Sequence, residues 1–262
     1  MKKNPRAFDV LGNVAIVRFT KNFKLKDKKR FAQSLIKKQK PIKTVLEKKG
    51  KVKGRLRKIQ TLHLAGEKTK EVLHKENNCF FRFNIDSTYF SPRLSNERKE
   101  IAGKIKKNDK VLVMFSGVSV FSIVIAKNSK AKVVSIEINR EANKYAKLNV
   151  ELNKLKDTIQ IVQGDVKKVA EKLSKQKRKF SVIVMPRPKL KETFLKQTFM
   201  LSKKGTKIYY YDFCKTDEIN HIIAKIKDEA KKSGKKIKIS SIKRSGEISP
   251  YKFRIRVDFK TL

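Results

Sequence analysis

The stretch that decides the fold is "VLVMFSGVSVFSIVIAK", which runs from Val111 to Lys127. It begins with an apolar run of strand length, passes through a short turn that contains Gly117, and continues as a helix. A strand, a tight turn and a helix in this order are typical of the opening of a nucleotide-binding α/β domain. The turn holds a single glycine, and Val113 and Met114 stand where such strands often carry an acidic residue. Taken alone, the stretch also fits an ordinary buried strand followed by any turn.

The chain around this stretch alternates between strand and helix patterns. Helices, such as those predicted over 140–153 and 217–232, separate most of the strands, and the last two strands form a hairpin. The predicted strands are 110–115, 131–138, 158–163, 180–185, 205–213, 235–241 and 251–259. This alternation predicts an α/β fold with a doubly wound, mostly parallel seven-stranded sheet. The layout resembles that of the class I, Rossmann-like methyltransferases.

The residues before this domain predict a small α+β unit. Two short strands flank a turn at Gly12 and Asn13, and an amphipathic helix over 26–39 ends before Pro41. A short strand is predicted over 42–50. The segment 51–66 alternates basic and apolar residues and is interpreted as one half-exposed strand.

We place the boundary near Asp86, which gives a small α+β domain over 1–86 and a Rossmann-like domain over 87–262. Ser91 and Pro92 predict a helix start, and that helix is expected to continue to about Lys106.

The charge of the chain is its strongest compositional signal. Lysine and arginine number 68 against 24 acidic residues, which gives a formal net charge of +44. Residues 1–86 hold 25 basic and 7 acidic side chains, and residues 87–262 hold 43 and 17. A field of this sign concentrates polyanions, so nucleic acid is the expected partner, and both halves are expected to contact it.

Other side chains argue against metal and membrane functions. Cys79 and Cys214 are isolated, and the three histidines lack the spacing of metal ligands. No apolar run fits a signal peptide or a transmembrane helix. The expectation is therefore a cytoplasmic, reducing setting, with no metal, no membrane association and a monomeric chain.

Two further strand ends carry acidic residues suited to a nucleoside. Glu137 ends an apolar strand 20 residues after Gly117, and a carboxylate there can accept hydrogen bonds from both ribose hydroxyls. Asp165 ends the next strand, where it can accept from an adenine amino group. The dinucleotide fingerprint G-x-G-x-x-G is absent, which argues against NAD.

Beginning at "YFSPRLSNER", residues 89–98, the sequence resembles the archaeal/eukaryal-type tRNA (guanine-37-N1)-methyltransferases. "MFSGVSVFSIVIAK", "SIEINREANKYAKLNVELNKL", "IYYYDF" and "VDFK" follow in that family's order, and the similarity covers nearly the whole chain. The resemblance starts at the family's middle RNA-binding unit, without the N-terminal domain that many members use to inspect the tRNA elbow.

The resemblance implies transfer of a methyl group from S-adenosylmethionine to N1 of guanosine 37, with the anticodon loop and stem of tRNA as the partner. N1 carries a proton at neutral pH, so the reaction needs a base, and the family's motif assigns that role to Glu97. Arg93 is expected to hold base or phosphate. A catalytic arginine of the small domain maps to Arg57 better than to Arg55.

The implied cofactor contacts follow the strand ends. They are Phe115, Ser116, Gly117, Val118, Glu137, Ile138, Asn139, Asp165, Val166 and Pro186. The implied substrate contacts are Arg55, Arg57, Arg93, Arg187 and Pro188.

The sequence departs from the family pattern inside this site. Val113 replaces an acidic residue, which removes one polar contact to the cofactor. Ser119 replaces the second glycine of the turn, where its β-carbon is expected to narrow the pocket unless φ stays negative. Pro186 replaces the asparagine of an N-L-P-K segment, and Arg187 adds charge without a matching amide.

These departures leave two alternatives open. One is a wybutosine-pathway transferase, which transfers an aminocarboxypropyl group or methylates a wyosine precursor at the same tRNA position. The other is a paralogue that binds tRNA without turnover.

Overall fold

The computed structural model describes residue 5 and residues 8–20, 22–54, 56, 58–249 and 251–262. The chain forms two compact units, Met1–Pro92 and Arg93–Leu262. Arg55 and Arg57 lie outside the described residues, so their predicted roles remain predictions.

The first unit is α+β, as the sequence predicts. Strands β1 (Phe8–Leu11) and β2 (Val14–Val17) form a hairpin, helix α1 spans Leu25–Lys38, and strands β3 (Thr44–Lys53) and β4 (Lys58–Gly66) follow. The sheet order is β1-β2-β3-β4, with β2 and β3 parallel and the other pairs antiparallel.

Ala32 and Leu35 of α1 pack on Val45 and Leu64 of the sheet and form the core of this unit. Gly12 lies between β1 and β2 with φ +53°, and a β-carbon at this position would lie 1.9 Å from the carbonyl oxygen of Leu73. Only glycine fits this approach.

The prediction of one strand over 51–66 is wrong. The chain reverses after β3, and β3 and β4 form an antiparallel hairpin with a turn that includes Gly54 at φ +66°. Alternation of basic and apolar residues continues through both strands of a hairpin, so it does not reveal the reversal.

A separate hairpin of β5 (Glu71–Glu76) and β6 (Cys79–Asn84) completes the first unit. Phe81 and Phe83 of β6 are buried. The Phe83 ring stacks on Phe90 with centroids 4.6 Å apart.

The second unit has the predicted Rossmann-like architecture. Its first half contains α2 (Ser95–Gly103), β7 (Lys110–Met114), α3 (Val120–Ser129), β8 (Lys132–Glu137), α4 (Arg140–Leu152) and β9 (Ile159–Gln163). Its second half contains α5 (Val166–Lys175), β10 (Phe180–Met185), α6 (Leu195–Leu201), β11 (Ser202–Cys214), α7 (Ile219–Lys232), β12 (Ile237–Ser249) and β13 (Lys252–Thr261).

The seven-stranded sheet has the order β12-β13-β11-β10-β7-β8-β9. The five strands from β11 to β9 run parallel, and the terminal hairpin of β12 and β13 adds two strands, with β13 antiparallel to β11. The carboxyl ends of the parallel strands therefore meet at one edge, where ligands of such sheets bind.

The helix predicted to reach Lys106 is shorter. A 3-10 turn spans Pro92–Leu94, α2 begins at Ser95, and the helix ends at Gly103. The backbone N–H of Lys106 donates to the side chain of Asp109 at 2.8 Å, so the residues after Gly103 form a turn into β7 and do not extend the helix.

Candidate functional site

The turn between β7 and α3 has three residues with positive φ. Phe115 and Gly117 lie at φ +57°, and Ser119 lies at φ +69°. Positive φ is unfavourable for a bulky residue, so the surroundings must hold Phe115 in place. Its ring packs edge-on against Phe194 at a centroid distance of 4.9 Å, and the N–H of Ser116 donates to the carbonyl of Ile136 at 3.0 Å.

Ser119 lies in the left-handed backbone region, at φ +69°, which glycine adopts most readily. Its side chain is fully buried, and its hydroxyl lies 2.9 Å from the hydroxyl of Ser135 on β8, to which Ser122 of α3 also donates. The hydroxyl therefore binds inside the domain and is not exposed at the turn. Since φ at Ser119 is positive, the condition for the predicted narrowing of the pocket is met, and the narrowing itself stays a prediction.

Val113 lies on β7 between Ser135 of β8 and Val184 of β10, and its side chain is fully buried. Residues in register on neighbouring parallel strands share a face of the sheet, so Val113 and Ser135 lie side by side. In this position the valine contributes to the core.

Glu137 connects two turns at the carboxyl edge of the sheet. One oxygen accepts a hydrogen bond from the N–H of Gly117, and the other accepts from the N–H of Asn139, both at 2.8 Å. Burial raises the pKa of the Glu137 carboxyl, while these backbone donors oppose that shift. Each oxygen retains acceptor capacity, so the half-buried carboxylate fits a ligand with two adjacent hydroxyl donors.

Asn139 and Asp165 cap helices at the same edge. The side chain of Asn139 accepts from the N–H groups of Glu141 and Ala142 at the start of α4, and Asp165 accepts from the N–H of Lys167 at the start of α5. The N–H of Gly164 donates to the carbonyl of Glu137 at 2.8 Å. The turns after β7, β8 and β9 are therefore connected through backbone contacts.

The loop after β10 has a structure that the sequence did not predict. Arg187 is 2% exposed, lies 2.6 Å from Asp212 as an ion pair, and donates to the carbonyls of Leu190 and Glu192. The guanidinium stabilises its own loop here, and its predicted contact with the substrate stays a prediction. Pro186 and Pro188 are half-buried at this edge.

Glu97 lies buried on α2, and its oxygen Oε2 is held by two side chains. The hydroxyl of Tyr211 donates to Oε2 at 2.9 Å, and Arg256 donates to it at 2.6 Å. The other oxygen, Oε1, has one partner in the described part of the chain, the amine of Lys243 at 3.6 Å. The carboxylate is thus fixed through one oxygen and only weakly engaged through the other.

Arg256 is the centre of this network. It is 1% exposed and also bonds Asp258 and Glu100 at 2.6 Å. Burial opposes its charge, but the hydrogen bonds of Asp258 and Glu100 prevail and raise the pKa of Arg256. The hydrogen bond from Arg256 lowers the pKa of Glu100. Burial and the nearby Glu97 raise the pKa of Tyr211 well above its usual value, so the phenol stays a donor.

Sequence reasoning missed Tyr211 and Arg256. The two residues are register partners on β11 and β13, so they share a face of the sheet, as do Tyr209 and Asp258. The segment "FRIRVDF" contained a signal, because an arginine two residues before an aspartate in an apolar strand places both on one face. The pairing with β11 was still needed to bring them to Glu97.

The remaining predicted residues vary in exposure. Arg93 is exposed and Ile138 is half-buried, whereas Val118 and Val166 are buried. Among the described residues, no group of acidic, histidine and cysteine side chains is arranged to hold a metal ion. Within the same residues, no helix is long and apolar enough to span a membrane.

Comparison with known protein families gives two matches. The TRM5/TYW2 methyltransferase domain matches residues 72–239, and the TYW2 N-terminal domain matches residues 1–69.

Individual relatives match nearly the whole chain. The tRNA (guanine(37)-N(1))-methyltransferase Trm5b of Pyrococcus abyssi is 30% identical over 98% of this chain and 75% of its own length. Its crystal structure aligns with a TM-score of 0.85 at 29% identity, over the same shares of both chains.

Two further relatives have similar identity. The tRNA (guanine(37)-N(1))/4-demethylwyosine(37)-methyltransferase Taw22 of Nanoarchaeum equitans is 31% identical over 96% of this chain and 98% of its own length. The solved complex of aTrm5 with tRNALeu is 31% identical, with a TM-score of 0.84, over 97% of this chain and 72% of that one.

Proposed function

The chain belongs to the TRM5/TYW2 methyltransferase family, whose members use S-adenosylmethionine, and we propose that it methylates N1 of guanosine 37 in tRNA. The observation that carries the proposal is the buried carboxylate of Glu97, which is fixed through Oε2 and only weakly engaged through Oε1. When bound, S-adenosylmethionine supplies an electrophilic methyl group, and the protein has to position the base and accept a proton.

Glu137 is proposed to hold the ribose of the cofactor. Its oxygens are oriented by the N–H groups of Gly117 and Asn139, so its acceptor directions are fixed before the cofactor binds. The carboxylate of Asp165 lies at the next strand end, where the adenine amino group is expected. The remaining proposed cofactor contacts, some of them through the backbone, are Phe115, Ser116, Gly117, Val118, Ile138, Val166 and Pro186.

Glu97 is proposed to act as the general base. N1 of guanine is protonated at neutral pH, and its lone pair becomes nucleophilic toward the methyl group only as that proton leaves. Oε1 takes the proton, while Tyr211 and Arg256 hold Oε2 and prevent the side chain from rotating away. A base positioned in this way contributes typically about 10²–10⁴-fold to the rate.

The RNA contacts rest on charge and exposure. Arg93 is exposed and is proposed to bind the target base or a phosphate, together with Arg55, Arg57 and Pro188. The net charge of +44 supports a polyanionic substrate.

A second candidate is methylation of a wyosine precursor at the same position. The relative Taw22, whose name includes 4-demethylwyosine(37) methylation, is covered by this chain over 98% of its length. Pro186 also carries no amide side chain with which to select guanine.

The test is transfer of label to tRNA, followed by mass spectrometry of the nucleoside at position 37. Two labelled cofactors are used, one with the label in the methyl group and one with the label in the carboxyl carbon. Two tRNAs are used, one with guanosine and one with 4-demethylwyosine at position 37.

The proposal expects methyl label on guanosine 37 and no carboxyl label. Methyl label confined to the 4-demethylwyosine tRNA would favour the second candidate, and carboxyl label would indicate aminocarboxypropyl transfer. Absence of both labels, with the cofactor still bound by the protein, would contradict every one of these enzymatic assignments.

A further inference from the structure

A basic groove lies at the amino edge of the seven-stranded sheet. It encloses about 960 Å³ and is lined by the first residues of β7, β8, β9 and β10 and by the loops that precede them. The proposed cofactor contacts follow the last residues of the same strands. Because β7 spans five residues, the two edges lie about 17 Å apart along the strands.

The charges of this groove are unequal. Eight basic side chains line it against two aspartates. Asp109 is engaged by hydrogen bonds from the N–H of Lys106 and the hydroxyl of Ser181. Within the described parts of the chain, Lys156 is the one basic member that pairs with a carboxylate, that of Glu151 at 2.8 Å.

The other seven basic side chains are not neutralised by described carboxylates. Lys132 and Lys179 donate to backbone carbonyls at 2.6 Å, and Arg178 donates to the side-chain oxygen of Gln160 at 3.0 Å. These contacts hold the three side chains by hydrogen bonds but remove no charge. Cations this close repel one another within a Debye length of about 8–10 Å, and a polyanion relieves that repulsion.

Interaction with helix dipoles explains the presence of only some of the basic residues in the groove. Lys130 and Lys177 follow the carboxyl ends of α3 and α5, where a cation complements the helix dipole by about 0.3–1 kcal/mol. Lys107, Lys110, Lys132 and Lys179 precede or open strands, so this explanation does not apply to them.

We infer that this groove binds the phosphodiester backbone of RNA, at the edge of the sheet opposite the proposed methyl-transfer site. The occupant is a phosphate backbone because the groove offers many cationic side chains and few groups able to read base edges. The inference rests on the proposed RNA substrate, but not on which base is modified.

The test compares two triple variants of the full chain. The groove variant carries Lys110→Gln, Lys130→Gln and Lys177→Gln. In the described part of the chain, the amines of these three lysines make no hydrogen bond or ion pair. The control variant is Lys225→Gln, Lys227→Gln and Lys231→Gln on the exposed face of α7, which removes the same charge. Binding to labelled tRNA without cofactor is measured by fluorescence anisotropy between about 50 and 200 mM salt.

The groove variant is expected to bind about tenfold more weakly at physiological salt, with a log–log salt slope smaller by about 2–3. The control variant is expected to change both quantities much less. Equal changes in the two variants would overturn the inference and leave the proposed function standing, whereas a wild-type protein that binds no tRNA would contradict the proposed function as well.

Two controls complete the experiment. Equal thermal midpoints of the two variants exclude unfolding as the cause of the weaker binding. If the groove variant instead keeps its RNA affinity and loses affinity for phosphatidylserine vesicles, the groove serves a membrane and the inference is overturned.

Discussion

Two carboxylates of the Rossmann-like unit are held in opposite ways. Glu137 is oriented by backbone N–H groups, those of Gly117 and Asn139. Glu97 is oriented by side chains, those of Tyr211 and Arg256. A carboxylate held by backbone N–H groups tolerates substitution of the nearby side chains as long as the backbone conformation is kept. A carboxylate held by side chains depends on which residues those are.

Ser119, one of the predicted departures from the family pattern, illustrates the tolerance of the site that is held by backbone N–H groups. Ser119 lies at φ +69° with its hydroxyl 2.9 Å from that of Ser135, so the turn that presents the N–H of Gly117 accommodates a serine in a conformation that favours glycine. The strain of a left-handed serine costs about 1–2 kcal/mol, and its buried hydrogen bond offsets part of that cost.

The largest expected effect concerns the side-chain site. Glu97→Gln should lower the rate of methyl transfer by about 10²–10⁴-fold with tRNA affinity nearly unchanged, because the amide cannot accept the N1 proton. Rapid-quench assays of methyl transfer measure this. Glu100→Gln is the matched control, since it removes another carboxylate bonded to Arg256 one turn along α2. Equal losses of rate in the two variants would count against Glu97 as the base.

Arg256→Met should lower the free energy of unfolding by about 3–5 kcal/mol, because it leaves Glu97 and Asp258 buried without their partner. Urea denaturation measures the loss. Arg254→Met, two residues earlier on the same face of β13, should have a much smaller effect, because Arg254 is only half-buried and packs over the Phe213 ring. The double variant Glu97→Gln with Arg256→Met should regain part of the loss, and strict additivity would show that the pair is not coupled.

In the backbone-held site, Glu137→Gln should weaken cofactor binding by about 10–100-fold, since hydrogen bonds to a charged acceptor contribute about 1.5–3 kcal/mol. Calorimetry with S-adenosylmethionine measures this. Glu141→Gln, four residues beyond β8 and paired with Lys144 in the described part of the chain, is the control. An effect of Glu137→Gln confined to tRNA affinity would contradict its assignment.

Acid should destabilise the side-chain network. The hydrogen bond from Arg256 lowers the pKa of Glu100 in the folded state, so its contribution is present above the unfolded pKa of about 4.3 and is lost as the pH falls below it. Unfolding free energies measured from pH 7 to pH 3 should therefore fall less steeply for Glu100→Gln than for the wild type. An equal pH dependence of the unfolding free energy in the two proteins would argue against a lowered pKa of Glu100 in the folded state.

The smallest effects concern Ser119. Ser119→Gly should change the free energy of unfolding by less than about 1 kcal/mol, because relief of strain and loss of a hydrogen bond nearly cancel. Ser119→Ala keeps the strain and loses the bond, so it should destabilise by about 1 kcal/mol. A glycine variant as unstable as the alanine variant would show that strain at this turn is negligible.

The sequence was sufficient to predict the features that depend on local pattern. Alternation of strands and helices predicted the seven-stranded sheet, and spacing predicted the strand ends at Gly117, Glu137 and Asp165. Their prediction succeeds because the carboxyl ends of parallel strands lie at one edge of the sheet, so no knowledge of the strand pairing is needed.

The features that depend on long-range pairing were not predicted. Tyr211 and Arg256 reach Glu97 only because β13 pairs with β11 in a particular register. The burial of Arg187 depends on an ion pair with Asp212 on a neighbouring strand. Arginine side chains are mostly exposed in proteins, so residue type alone gives no indication that Arg187 and Arg256 are buried.

The most direct test of the division between the two carboxylates is the single-turnover rate of methyl transfer at saturating tRNA, measured against cofactor concentration for wild type, Glu97→Gln and Glu137→Gln. The account predicts that high S-adenosylmethionine restores the Glu137→Gln rate to within about tenfold of wild type, while Glu97→Gln stays slower by about 10²–10⁴-fold at every concentration. Recovery of Glu97→Gln at high cofactor, or failure of Glu137→Gln to recover, would contradict it.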